Sequence, residues 1–213
     1  MAKRIEYIDA MRGLAMLLVV IGHVFVFSFK NEGNIFFQVL SAEIEVPLFF
    51  MVSGFLMRVP EQGYVSFFKK KAFQLCVPAV LFMSVYLWNS NSDFHAAWFN
   101  SFKYGYWFTF SLFEFIVLYV MIRILIKAMR LSLNVEHLLL LTFAIMVLYV
   151  SVWCMRMENS YPIIPLLGLV QFKSFVYFVL GVILAERNIL INSGVKSGGG
   201  DFIALHSASF LYL

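Results

Sequence analysis

Long apolar stretches alternate along this chain with short polar breaks. A helix needs about 20 apolar residues to cross roughly 30 Å of hydrocarbon. Six stretches approach that length: about Ile8 to Phe29, Ile35 to Met57, Ala72 to Trp88, Tyr106 to Ile126, His137 to Met155, and a sixth within Leu166 to Ala185. Pro162, Pro165 and Gly168 blur the start of the last one. An open strand leaves its backbone unsatisfied in lipid, so all six are predicted as helices. The breaks between them carry Asn31-Glu32-Gly33-Asn34, Pro60-Glu61-Gln62-Gly63 and Asn89-Ser90-Asn91-Ser92-Asp93, residue types that favour turns. No internal repeat is visible. The expected fold is all-α, a polytopic transmembrane helix bundle of about six spans, membrane-embedded from residues 1 to 190. Residues 191–213 then form a flexible linker rich in Gly and Ser and a short apolar tail. The tail, Phe202 to Leu213, is too short to span. It reads as half a helix, an interfacial segment or the trace of a truncation.

Composition narrows the class. Residues of the AVILMFWYC set make up 62% of the 213 residues and charged residues 13%. Soluble domains carry about 25% charged residues, so this chain has too few to coat a water-facing globule. The 25 Phe and 10 Tyr exclude disorder, and two Cys exclude a disulfide-stapled scaffold. A net charge of +4 is therefore read through its placement beside the spans and not as a nucleic-acid signal.

With the N-terminus cytoplasmic, the inside holds Lys3, Arg4, Arg58, Lys69, Lys70, Lys71, Arg123, Lys127, Arg130, Arg187 and Lys196. The outside holds Lys30, Lys103 and Arg156. That asymmetry predicts N-terminus in and even-numbered loops cytoplasmic. The first apolar run is too long for a signal peptide, contains Arg12 and lacks a small-x-small cleavage site, so it is read as a retained helix.

Ionisable groups within spans are costly, roughly 2.5–3.5 kcal/mol for Arg or Asp at a helix centre, and tend to face a cavity or a partner. The first span holds Asp9, Arg12 and His23. Eleven helical steps of about 100° bring Arg12 and His23 onto one face, separated by ~16 Å of rise. Asp9, three residues before Arg12, pairs with it on that face. A guanidinium suits phosphate, and an imidazole takes a proton from a hydroxyl near neutral pH. The plainer reading has Arg12 snorkelling to headgroups and His23 bonded to a neighbouring helix.

In the second span, Glu43 and Glu45 read as a base, a charge partner for His23 or an acceptor for a sugar hydroxyl. Alternatively, the span begins near Val46 and both sit among outer headgroups. Ser53-Gly54 suits close helix packing; no nucleophile elbow surrounds Ser53. Lys69, Lys70 and Lys71 form a basic cluster before the third span, for anionic lipid or, at one of them, donor phosphates. Trp107 reads as an interfacial anchor. Glu114, Gln171 and Lys173 are open between interhelical bonding and a site. Four histidines show no ligand spacing, so no metal is expected, and Cys76 and Cys154 imply no disulfide. No Walker A or G-x-G-x-x-G sequence is present.

Ile8-Asp9-Ala10-Met11-Arg12-Gly13-Leu14-Ala15, with His23 eleven positions after Arg12, resembles the opening of the membrane acyltransferase family 3. Pro47-Leu48-Phe49-Phe50-Met51-Val52-Ser53-Gly54-Phe55 is similar to its second-helix Phe-Phe-x-x-Ser-Gly motif. Phe67-Phe68-Lys69-Lys70-Lys71 leading to Pro78 resembles its basic segment, with Lys71 and Gln74 where a pair of arginines is usual. Tyr106-Trp107-Phe108 resembles its fourth-helix entry, and Tyr177-Phe178-Val179-Leu180-Gly181 a later Phe-x-x-Gly helix. The resemblance covers about residues 5 to 190. It implies a multi-pass inner-membrane enzyme that moves acetyl or other acyl groups from cytoplasmic acyl-CoA to a glycan or lipid-linked sugar, with no bound cofactor. Carried over, Arg12 holds CoA phosphates, His23 is the general base or assists passage of the acyl group, and Ser53 and Trp107 are structural or pore-lining. Asp9, Lys71, Glu45 and Glu114 complete the expected substrate-binding set. The family usually has about ten spans, so a truncated product is expected. Two other readings stand beside the enzyme: a transporter or flippase that uses the same polar stripe, and an inactive remnant of the acyltransferase.

Overall fold

The computed structural model describes residues 44–60 and 62–194, with side chains to 187, and in the leading segment Ala10, Gly13, Leu14, Leu17 and Ile21, all helical. Among the described residues there is no strand. The helices are α1 (Val46–Phe55), α2 (Tyr64–Ser90), α3 (Phe94–Trp98), α4 (Trp107–Ala128), α5 (Leu133–Met157), α6 (Ile163–Leu166) and α7 (Phe175–Gly194). Four segments among the described residues are long and apolar enough to cross a membrane: Tyr64–Ser90, Trp107–Ala128, Leu133–Met157 and Leu169–Arg187. These are the third to sixth predicted spans. The first predicted span lies almost wholly outside the described residues, and the second is described only from residue 44.

The third span differs at its start. The helix begins at Tyr64 and not near Ala72, because Gly63, with φ at +74°, is the last residue that stops it. Lys69, Lys70 and Lys71 therefore lie within its first two turns and not in a loop before it.

The chain divides into two compact units, Met57–Leu180 and Met1–Leu56 with Gly181–Leu213. In the second of these, α1 and Gly181 approach backbone to backbone. A Cβ built on Gly181 would collide with the carbonyl of Met51 and press on the amide nitrogen of Phe55. Only a residue without a side chain allows that approach, the usual device of helix pairs in lipid.

In the Met57–Leu180 unit, α2 and α4 run antiparallel. Tyr106, at the start of α4, packs on the cluster of Met83 and Leu87 near the end of α2. The α4–α5 hairpin is closed by an ion pair of 3.3 Å between Arg123 and Glu136, both nearly buried. Phe115 of α4 anchors an aromatic cluster, with ring centroids 5.3 Å from Phe172 and 5.4 Å from Phe175. Edge-to-face contacts of this kind add to the burial of the rings themselves.

The sixth crossing is broken. Between α5 and α7 the chain makes the single turn α6, a left-handed Gly168 (φ +59°) and the 3₁₀ turn Leu169–Ser174. Ile164, Pro165, Val170, Gln171 and Ser174 turn one side of this irregular stretch inward and are buried, while Ile163, Leu167 and Lys173 on its other side are exposed.

Candidate functional site

Asp9, Arg12 and His23, the centre of the sequence expectation, lie outside the described residues, as does Glu43. The remaining candidates divide between the two units. Glu45 precedes α1, is 9% exposed, and is followed by Pro47 in the first turn, where a missing N–H costs nothing. The regular α-helix thus starts at Val46, yet Glu45 is buried. Ser53 is half-buried on the same helix beside the buried Gly54.

In the other unit, Lys71 is half-buried with its ammonium 5.8 Å from the centre of the Phe67 ring, while Lys69 and Lys70 are exposed. The middle lysine positions face solvent or headgroups, and Lys71 alone of the three turns toward an aromatic face. Trp107 opens α4, half-buried, with its ring edge-on to Phe108 at 5.9 Å.

The densest polar region described is built around the broken sixth crossing. Lys103 follows α3 in a turn where Lys103, Tyr104 and Gly105 all have positive φ (42°, 52° and 96°). That conformation turns the lysine inward. Its ammonium donates to the carbonyls of Pro165 at 2.9 Å, Trp98 at 3.1 Å and Leu166 at 3.2 Å, and the residue is 3% exposed. Two of these carbonyls belong to the end of α6, so a cation caps a helix C-terminus, as its dipole favours. Burial pushes the Lys103 ammonium below the usual lysine value, and the carboxyl of Glu114 acts in the opposite sense. Ser151 of α5 ties the other side of the break. Its hydroxyl faces the carbonyls of Leu169 (2.9 Å) and Val170 (2.8 Å) and accepts the backbone N–H of Lys173 (2.9 Å). Ser101 also bonds the carboxylate of Glu158 at the start of this segment.

Under the turn held in this way lies Glu114. Its Oε2 is 3.6 Å from where a Gly168 Cβ would be, and Ser111 Oγ is 3.9 Å from that point. Ser111 and Glu114 are three residues apart on α4 and so share a face. Glu114 Oε2 and Gln171 Nε2 are buried with no hydrogen-bond partner. The interhelical-bond reading of Glu114 is thus not fulfilled at that oxygen.

Sequence reasoning missed Lys103, Ser151 and the Arg123–Glu136 pair. Lys103 had one usable signal: it is one of the few cations on the side assigned to the outside. Arg123 had another, since it falls within the fourth apolar stretch opposite Glu136.

A family model described as an acyltransferase domain, acyltransferase 3, matches residues 5–211. That range includes the Asp9, Arg12 and His23 positions, every other candidate above and most of the tail. No curated protein and no solved structure matches the chain.

Proposed function

The chain belongs to the acyltransferase 3 family and is a multi-pass membrane acyltransferase, and from that premise we propose that it moves an acetyl group from cytoplasmic acetyl-CoA to a hydroxyl of a cell-surface glycan, at the inner membrane. The observation that carries the proposal is the family match over a segment containing Arg12, then His23 eleven residues later. Arg12, paired with Asp9, holds the donor phosphates by the bidentate geometry a guanidinium offers. Lys71 supplies a second cation. His23 takes the proton of the acceptor hydroxyl. The hydroxyl oxygen bonds to the thioester carbonyl carbon, the carbon–sulfur bond breaks, and the CoA thiolate leaves and is protonated. By the family resemblance Ser53 and Trp107 are each structural or pore-lining, and Glu45 is an acceptor for a sugar hydroxyl.

Helical periodicity supports the placement: eleven steps of about 100° return sequence positions 12 and 23 to one face of a helix.

The test is the full chain in lipid nanodiscs with Arg12→Ala and His23→Ala. Both variants are expected to insert normally and to lose acetylation of surface glycan in cells. Full activity in both removes the mechanism. The broken sixth crossing favours a second reading, since translocation pathways use interrupted helices. Binding of radiolabelled acetyl-CoA by purified protein, lost in Arg12→Ala, separates the enzyme from a translocator.

A further inference from the structure

We propose that the exposed face of α2 is a binding site for an anionic diacyl phospholipid, with the phosphate held by Lys69 and Lys70. Exposed positions on this helix recur at 65–66, 69–70, 73–74, 77–78, 81–82 and 85–86, the period of a single face. No acidic residue occurs in Tyr64–Ser90. The order of chemistry down the face is that of a phospholipid read from headgroup to tail. Lys69 and Lys70 are adjacent exposed cations, each a point charge suited to a phosphate oxygen. Gln74 is exposed four residues after Lys70, about 6 Å deeper. Its amide N–H suits a carbonyl, and the ester carbonyls of a diacyl lipid lie between its phosphate and its chains. From Gln74 the face is apolar through Val77, Leu81 and Val85, a rise of about 16 Å. One leaflet of a ~30 Å hydrocarbon core has about that depth. Phe73 and Phe82, 71% and 64% exposed, flank the track and leave their rings to an acyl chain.

The other cations at this end of the unit are placed differently. Arg123 is paired with Glu136, and Lys71 is half-buried with its ammonium toward Phe67. Lys127 and Arg130 are exposed where α4 ends, the end at which antiparallel α2 begins. They raise the positive potential there. Along α4, however, no residue from 107 to 120 is exposed, so that helix offers no track of leaflet depth below them. A soluble phosphate ester would use Lys69 and Lys70 and leave Gln74 and the apolar track unused. A diacyl lipid uses all three. The site is separate from the transfer reaction, which draws on Lys71 and not on these two lysines.

The experiment is native mass spectrometry of the full chain, stripped of lipid in detergent and titrated with dioleoylphosphatidylglycerol or dioleoylphosphatidylcholine. The wild type is expected to retain one phosphatidylglycerol at least tenfold more tightly than phosphatidylcholine, since each cation contributes about fivefold. Lys69→Gln with Lys70→Gln is expected to remove that preference, and Lys127→Gln with Arg130→Gln to keep most of it. Gln74→Leu is expected to weaken both lipids alike, about threefold, because both carry the ester. Equal retention of the two lipids, a preference unmoved by the Lys69 and Lys70 changes, an equal loss with Lys127 and Arg130, or full retention in Gln74→Leu overturns the site. Release of the phosphatidylglycerol by acetyl-CoA or inorganic phosphate also overturns it, and assigns the two lysines to the donor. A Phe82→Cys variant that cross-links to the leading segment of the chain or to a second copy shows the face covered by protein, with the same consequence.

Discussion

The ammonium of Lys103 and the carbonyl oxygen of Pro165 meet at 2.9 Å across 62 residues of sequence. With Trp98 and Leu166 also bound, this lysine ties the turn after α3 to the break between α5 and α7. Lys103→Met leaves three carbonyls without their donor in a buried place. The expected loss of stability is about 2–5 kcal/mol, read as a lowered midpoint in detergent denaturation. An unchanged midpoint removes Lys103 as the fastener of the break.

The same lysine gives the protein a pH dependence of known sign. Its folded-state value lies below the usual lysine value of 10.5 because burial disfavours the ammonium. Between the lowered value and 10.5 the unfolded chain keeps a proton the folded chain releases, so stability rises with pH across that window. Below it both states are protonated and the contribution is flat. Melting temperatures from pH 8 to 10.5 check this. Lys103→Met is expected to flatten the upward slope, and a falling slope in the wild type contradicts the assignment.

Gly181 is expected to tolerate no side chain. The added methyl of Gly181→Ala would have to displace the backbone of α1 at Met51. Backbone cannot rotate aside as a flexible side chain does, so the helices separate, at about 1–3 kcal/mol or more. Cross-linking yield between cysteines placed on α1 and after Gly181 reports the separation directly.

Arg123 and Glu136 illustrate the asymmetry of buried ion pairs. Glu136→Leu is expected to cost about 3–5 kcal/mol by removing the carboxylate that faces the buried guanidinium, whereas the double variant Arg123→Met with Glu136→Leu recovers part of that loss. A double-mutant cycle in denaturation midpoints measures it, and additive single effects argue against coupling.

Ser151 makes a parallel case without charge. Ser151→Ala removes a hydroxyl that faces two carbonyls and receives an N–H. The expected cost is about 1–3 kcal/mol. Amide exchange at Lys173 should quicken in the variant, and exchange unchanged there places the tie elsewhere.

The third to sixth crossings were legible because hydropathy alone determines which segments can lie in hydrocarbon. Proline and glycine at positions 162, 165 and 168 announced the irregular start of the last one. The start of α2 was misjudged because three consecutive lysines look like a loop, although lysine is a good helix former and its stem reaches past the apolar zone. The polar fastening was not legible. Lys103 and Pro165, or Ser151 and Leu169, are joined by tertiary proximity, and no local pattern marks a side chain that will cap a distant turn. Glu114 and Gln171 were both singled out as polar residues within apolar stretches, but nothing in the sequence indicates which atoms of either find a partner. The Arg12 and His23 pairing rests on helical spacing and family membership, both of which are properties of sequence.

The interrupted sixth crossing also has a temporal meaning. Its exposed peptide groups need Lys103 and Ser151, and both precede it in the chain. A ribosome delivering residues in order therefore places the receptacle in the bilayer before the segment that must fit it. In order of synthesis, α2, α4 and α5, with the groups that receive it, are thus complete before the discontinuous piece is made.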